Sequence, residues 1–303
     1  MLNVKKTAAE KRKDFRDKLN SGKLLRAPGA FSPLVARLLE EQGWDAIYIS
    51  GAVLSADLGL PDIGLTTLTE VSQRGYQIAR ATNLPSIIDI DTGFGEPMNA
   101  YRSMREMEEL GLASFHIEDQ EFPKRCGHLD NKAVVPREDM TRKIKACADA
   151  RRDPNFVIMA RTDAKGVEGL DAAIDRAKAY VDAGADMIFP EALHNPKEFE
   201  AFRKAIDVPL LANMTEFGKS ELLSAETLSN LGFNMVIYPV TTLRLAMGCV
   251  ESAMAQVMKD GHQNNVIDRM QTRARLYELN EYEQYNAFDQ SLFNFEVSGK
   301  GSA

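Results

Sequence analysis

The run Phe156-Val157-Ile158-Met159-Ala160-Arg161-Thr162-Asp163, then residues 170–184, then Met187-Ile188-Phe189-Pro190-Glu191, decides how this chain is built. Five apolar residues in succession read as a strand covered on both faces, because a strand with one wet face alternates. The segment behind it places Leu170, Ala173, Ile174, Ala177 and Val181 on one helical face and ends at Gly184, a C-terminal cap. A second apolar run follows at once. Strand, helix and strand in this order make a parallel pair.

The same unit recurs along the sequence. Strands are predicted at about 24–30, 46–50, 86–91, 114–118, 156–162, 187–191, 209–213 and 235–239. Helices are predicted at 33–43, 70–82, 99–111, 137–151, 170–184, 197–206, 225–231 and 242–259. Eight strand–helix units predict a (β/α)8 TIM barrel, with a doubly wound open sheet as the rival. No interdomain linker interrupts the pattern, so 1–303 reads as one domain. Residues 260–295 form a helical extension, with helix-like stretches at 266–279 and 282–295 rich in apolar and aromatic side chains. Those side chains need a cover, and a neighbouring subunit is the expected one.

Composition narrows the function. The 303 residues are 44% hydrophobic with a net charge of −7, which argues against nucleic-acid binding, where a basic stripe is expected. No apolar run approaches the roughly 20 residues of a membrane helix. Met1 to Asn20 has no apolar core of a secretory signal and is expected to form a surface helix. Cys126, Cys147 and Cys249 are odd in number and far apart, so a reducing, cytoplasmic setting without disulfides is expected.

Barrel active sites lie at the C-terminal strand ends, and residues i and i+2 of a strand share a face. Polar pairs recur at those ends: Asp89/Asp91, His116/Glu118, Arg161/Asp163 and Asn213/Thr215, with Glu191 ending another strand. Asp89, Asp91 and Glu118 are hard oxygen donors, which favours Mg2+ or Mn2+ over zinc. Arg161 is a candidate anion clamp. Arg244 and Arg273 alone would read as surface residues. In Lys124-Arg125-Cys126-Gly127-His128, three groups able to carry positive charge flank one thiol, so a lowered thiol pKa is expected. Cys147 and Cys249 read as packing residues, His194 and His262 as surface residues, and Gly93-Phe94-Gly95 as a tight turn.

The Lys124–His128 run is similar to the signature of the isocitrate lyase and phosphoenolpyruvate mutase superfamily, and the wider match resembles its methylisocitrate lyases. The match includes Gly59-Leu60-Pro61-Asp62, Asp89-Ile90-Asp91-Thr92-Gly93-Phe94-Gly95, Met159-Ala160-Arg161-Thr162-Asp163, Asn213-Met214-Thr215-Glu216-Phe217-Gly218 and Met270-Gln271-Thr272-Arg273. It runs from about Leu25 to Phe293. The resemblance implies Mg2+-dependent cleavage of 2-methylisocitrate to pyruvate and succinate in propionate catabolism. It also implies a homotetramer that swaps C-terminal helices.

By residue-level match, Asp89 and Asp91 take the metal positions, and Asp62, His116 and Glu118 support them. Ser50, Gly51, Ala52, Cys126, Gly127, Arg161, Glu191, Asn213, Met214, Thr215, Arg244 and Arg273 take the substrate positions. Cys126 is the candidate general acid that protonates the carbanion left by carbon–carbon cleavage. Tyr48 or a metal-shell group is left open as the base for the alcohol proton. Leu129 and Ile237 depart from the usual pattern and are expected to face the substrate's extra methyl. Isocitrate, 2,3-dimethylmalate and oxaloacetate remain alternative substrates, and a non-catalytic metabolite-binding barrel is the alternative of another class.

Overall fold

Eight short strands pair side by side in the computed structural model, which describes residues 2–128 and 131–294. They are β1 Leu25–Pro28, β2 Ile47–Ile49, β3 Ser86–Asp89, β4 Ser114–Glu118, β5 Val157–Thr162, β6 Met187–Pro190, β7 Leu211–Asn213 and β8 Met235–Tyr238. All pairs are parallel, in the orders β2-β3-β4-β5-β6 and β1-β8-β7. Isolated parallel bridges, Gly29 to Tyr48 and Ile188 to Leu210, join the two groups. The ring is therefore closed, and the fold is the expected (β/α)8 barrel.

Around it lie α1 Ala8–Leu19, α2 Pro33–Glu41, α3 Gly51–Asp57, α4 Leu68–Ala79, α5 Pro97–Glu109 and α6 Arg137–Ala150. α7 Leu170–Asp182, α8 Pro196–Ala205, α9 Ala225–Asn230, α10 Thr241–Asp260, α11 Arg273–Asn280 and α12 Tyr282–Phe293 follow. Strand alternation splits the apolar residues into two cores. Ala27, Tyr48, Ile87, Met159, Phe189, Leu211 and Ile237 fill the barrel interior. Ile49, Ile88, Ile117, Ile158, Ile188, Ala212 and Val236 face the helices.

α1 has the exposed face of a surface helix, at Ala9, Glu10, Lys13 and Asp17, but its other face buries Phe15 and Leu19 in the interior core and closes the N-terminal end of the barrel. Its cations look solvated in sequence, yet Lys11 Nζ donates to Ala79 O at 2.9 Å and Arg12 Nε to Leu112 O at 2.9 Å. Long basic side chains bury their stems and spend their charge on carbonyls.

The extension also differs in detail. The stretch 266–279 is a 3-10 turn, Asn264–Arg269, followed by α11, because Thr272 caps a new helix start through its hydroxyl. Glu281 turns left-handed, φ 57°, between α11 and α12. α11 is tied to the barrel by Arg275–Glu41 at 2.6 Å and Arg37–Glu281 at 2.8 Å. α10 carries no buried residue over its 20 positions. Among the described residues no helix is long and apolar enough to cross a membrane.

Candidate active site

In five strands, β3 to β7, the inward column ends in polar side chains at the C-terminal end. Ile87 gives way to Asp89 and Asp91, Ser114 to His116 and Glu118, and Met159 to Arg161 and Asp163. Phe189 gives way to Glu191, and Leu211 to Asn213 and Thr215. The polar pairs legible in sequence are thus one ring of side chains at the barrel mouth. Ser50, Ala52, Asp62, Asp89, Arg161, Glu191, Asn213 and Thr215 line a cavity there. Tyr48, Phe189, Pro239 and Val240 add apolar wall, and Lys124, Cys126, Gly127 and His128 close it from the loop after β4. The cavity measures about 60 Å³. A hollow of about 650 Å³ lies outside the mouth, between Thr66–Thr69, Phe94–Asn99 and Phe122, and holds none of the carboxylate pairs.

Asp89 and Asp91 sit together. Asp89 accepts Gly51 N at 3.2 Å and Asp91 N at 3.0 Å. Asp91 adopts φ 47°, a left-handed conformation that costs about 1–3 kcal/mol in a non-glycine residue. Burial and then Asp89 push the Asp91 carboxyl up to about 6. Burial also pushes Asp89 up, but His116, Lys124 and Arg161 pull it below its ordinary value. Lys124 bridges Asp91, at 2.8 Å, and Asp62. Burial works against the Lys124 charge, and Glu118, Asp91, Asp89 and Asp62 outweigh it, holding the ammonium well above its ordinary value.

Glu118 is buried, and neither of its carboxylate oxygens has a hydrogen-bond donor; Arg161 Nη1 lies 3.2 Å away. Burial raises this carboxyl well above its ordinary value. Tyr48 OH meets His116 Nε2 at 2.6 Å. Burial holds the Tyr48 proton in place and lowers His116 to about 4, so the imidazole is neutral.

Two ionised carboxylates and an orphaned buried one suit Mg2+, which usually binds one or two carboxylates and keeps several waters. Among the described residues, no three of His, Cys, Asp and Glu form a protein-only cage.

Arg161 is fixed from three sides. Nε donates to Asp163 at 2.9 Å, Nη2 lies 3.5 Å from Glu191, and the guanidinium sits 5.1 Å over the Phe189 ring. Burial works against the Glu191 charge, but Arg161 and His128 hold this carboxyl well below its ordinary range. His128 Nδ1 accepts Lys219 N at 2.9 Å, so Nε2 carries the proton that faces Glu191 Oε1 at 2.7 Å.

Cys126 requires a correction. Its thiol is raised, not lowered: burial dominates, and a backbone hydrogen bond from the His128 segment and the Arg161 charge do not offset it. The flanking cations are engaged elsewhere. Lys124 serves Asp62 and Asp91, Arg125 donates to Pro123 O and Lys124 O, and His128 serves Glu191. Cationic letters beside a cysteine do not report where their charges point.

Other sequence candidates divide. Gly51 belongs to the site by necessity: a Cβ there would lie 2.8 Å from Asp89 Oδ2. Met214 packs into the outer core, its sulfur accepting Leu223 N, so only its backbone is available. Ile237 lies in the interior core below the cavity, and Leu129 lies outside the described residues. Arg244 sits at the rim, 3.4 Å from Thr215 Oγ1 and 2.7 Å from Glu216. Arg273 is exposed and does not line the cavity, so one chain presents one arginine there rather than three. Pro239 and Val240 were missed; the only signal was their place just past an apolar strand. Cys147 is buried in α6 with its thiol pushed up to about 12, as packing requires. His194 and His262 are exposed.

A closed parallel barrel whose mouth gathers two carboxylates, a buried arginine and a protonated thiol defines an enzyme class that handles small polar acids. The phosphoenolpyruvate phosphomutase family model matches residues 15–258, and the chain belongs to that family. It is 60% identical over 288 residues to "Probable 2-methylisocitrate lyase 2" of Corynebacterium glutamicum, covering 95% of this chain and 94% of that protein. It is 49% identical to the 2-methylisocitrate lyase of Shewanella oneidensis, covering 92% and 94%. Its fold matches a solved phosphonopyruvate hydrolase bound to oxalate and Mg2+ with a TM-score of 0.85 at 31% identity, covering 94% and 99%.

Proposed function

We propose that this chain is a Mg2+-dependent carbon–carbon lyase that cleaves 2-methylisocitrate to pyruvate and succinate in propionate catabolism. The observation that carries the reading is the position of Cys126. A half-buried, protonated thiol forms one wall of a cavity whose other walls hold Asp89, Arg161 and Glu191.

Asp89 and Asp91 would hold the metal, with Asp62, His116 and Glu118 behind them. When bound, Mg2+ supplies Lewis-acid stabilisation of negative charge on the substrate's alcohol oxygen. Arg161 holds a substrate carboxylate through its fork while Asp163 and Phe189 fix the guanidinium. Asn213, Thr215, Ser50 and the Gly127 backbone offer polar contacts to the remaining oxygens. Breaking the carbon–carbon bond leaves its electron pair on the carbon that becomes a succinate methylene. Cys126 Sγ–H gives that carbon its proton, and the sulfur is left as thiolate. The high Tyr48 pKa keeps this phenol protonated, so it orients through its hydroxyl, and the alcohol proton passes to an ionised carboxylate of the metal shell.

Tyr48, Phe189, Pro239 and Val240 give a substrate methyl apolar wall, which favours the methylated acid by about 1–3 kcal/mol. A single-domain barrel in a homotetramer fits the long bare face of α10, and a cytoplasmic setting fits its free thiols. Purified protein assayed with 2-methylisocitrate, isocitrate, 2,3-dimethylmalate and oxaloacetate, with Mg2+ and with EDTA, tests the reading. Cleavage of 2-methylisocitrate that EDTA abolishes supports it. No turnover of that acid, or turnover indifferent to EDTA, defeats it.

A further inference from the structure

One buried carboxylate near the barrel mouth has no part in the reaction described above. Asp119 follows β4, is fully buried and does not line the cavity. Its Oδ1 accepts Asp163 N at 2.8 Å, and its Oδ2 accepts the hydroxyls of Thr162 and Tyr180, each at 2.8 Å. Burial and then the Asp163 charge push this carboxyl up to about 6, so it is ionised at neutral pH and accepts at both oxygens. Support reaches it from α7. Arg176 Nη1 lies 3.7 Å from Asp119 Oδ2 and donates to Tyr180 OH at 3.3 Å, while Glu168 accepts Arg176 Nε and Nη2 at 2.7 Å each.

Burying a charge is costly, and here the charge fixes one short turn. Asp163 stands just past β5 with φ −96° and ψ 1°, in the sparsely allowed bridge region. Asp119 holds the N–H of that residue, and the Thr162 hydroxyl, held by the same carboxylate, accepts Ala164 N at 3.3 Å. One side chain thereby sets three successive residues. The turn points Asp163 back at Arg161, whose Nε and Nη2 donate to its two oxygens at 2.9 and 3.3 Å. We infer that Asp119 is a positioning residue for the arginine clamp: it fixes the turn that aims Asp163 at the Arg161 guanidinium, without meeting substrate itself. Glu118 and Glu191 also face Arg161, at 3.2 and 3.5 Å, but neither makes the paired fork, so Asp163 decides the tilt of the guanidinium plane. That tilt sets where a substrate carboxylate lies, and a displacement of about 1 Å there is costly.

The inference rests on Arg161 holding the substrate, and the experiment separates the two. Full-length wild type, Asp119→Asn and Thr162→Val are compared, with folding checked by thermal melting. Asparagine keeps the shape and can still accept Asp163 N, but its amide nitrogen cannot accept the two hydroxyls. Valine at 162 keeps the shape and removes one of the three donors. KM for 2-methylisocitrate should rise about tenfold in Asp119→Asn and about threefold in Thr162→Val, with a smaller fall in kcat and Mg2+ dependence unchanged within about twofold. A merely structural loss would lower the active fraction, and with it kcat, at unchanged KM. A crystal structure of the folded variant should lose at least one of the two bonds between Arg161 and Asp163. Wild-type KM in folded Asp119→Asn, or in Thr162→Val where Asp119→Asn does not fold, overturns the inference. So does a variant structure with that fork intact. Wild-type protein that cleaves no 2-methylisocitrate would defeat the functional reading instead, and the variant structure would still decide the positioning role.

Discussion

Cys126 keeps its proton because burial outweighs the positive charge around it, and that suits an acid better than a nucleophile. A thiol held above its ordinary value is protonated at neutral pH. The sign follows: cleavage needs the protonated form, so activity is present below the thiol pKa and lost as pH rises through it. The cleavage rate attributable to this group should therefore hold from about pH 7 to 8.5 and fall only above the ordinary thiol range. A decline in kcat centred below pH 8, absent from Cys126→Ser, would contradict the assignment. Cys126→Ser should lower kcat by about 10²–10⁴-fold while calorimetry shows substrate affinity little changed. The cysteine was legible as a reactive centre because of its neighbours. Its charge state was not, because Lys124, Arg125 and His128 each find a partner from a distant segment or the loop backbone.

At the scale of elements, strands and helix starts were both legible to within two residues, and α2, α6, α7 and α9 begin on their expected residues. Buried parallel strands are apolar throughout, so β4 falls on its expected residues, 114–118. α4 begins two residues before its expected start, where Thr67 and Glu70 cap each other. α3 was not read as a helix at all, since seven residues opening on Gly51 leave little periodicity to see. Yet α3 sets the metal end of the site, because Gly51 packs against both aspartates. Gly51→Ala would place a Cβ 2.8 Å from Asp89 Oδ2 and 3.1 Å from Asp91 Oδ1. Apparent Mg2+ affinity should fall by about 10–100-fold, with the melting midpoint moved by only a few degrees. Unchanged Mg2+ dependence in that variant would remove Gly51 from the site.

At the scale of the molecule, the closed ring was legible because eight strand–helix units follow one another, at uneven spacing. For the extension, the sequence suggests a neighbouring subunit as cover, and the proposed homotetramer would supply one. α10 exposes Leu245, Met247, Val250, Met254 and Met258, with Met258 87% exposed, and α12 exposes Phe288, Leu292 and Phe293. Exposed apolar side chains on this scale are what the proposed subunit interface would cover. Met254→Glu combined with Met258→Glu should convert the assembly to smaller species in analytical ultracentrifugation while far-ultraviolet dichroism is kept. An unchanged sedimentation coefficient would place the interface elsewhere. Arg273 follows the same logic: one chain leaves it outside the cavity, so any contact with substrate needs the assembled form.

Phe15 and Leu19 fill the N-terminal end of the barrel, so among the described residues the cavity opens at the mouth, beside Cys126. Under the proposed roles succinate takes its proton on the Cys126 side and pyruvate forms beside Asp89 and Asp91, which predicts that succinate leaves first. Added pyruvate should then compete with substrate for the empty enzyme, whereas added succinate should inhibit noncompetitively. Steady-state inhibition patterns with each product would show which one departs last.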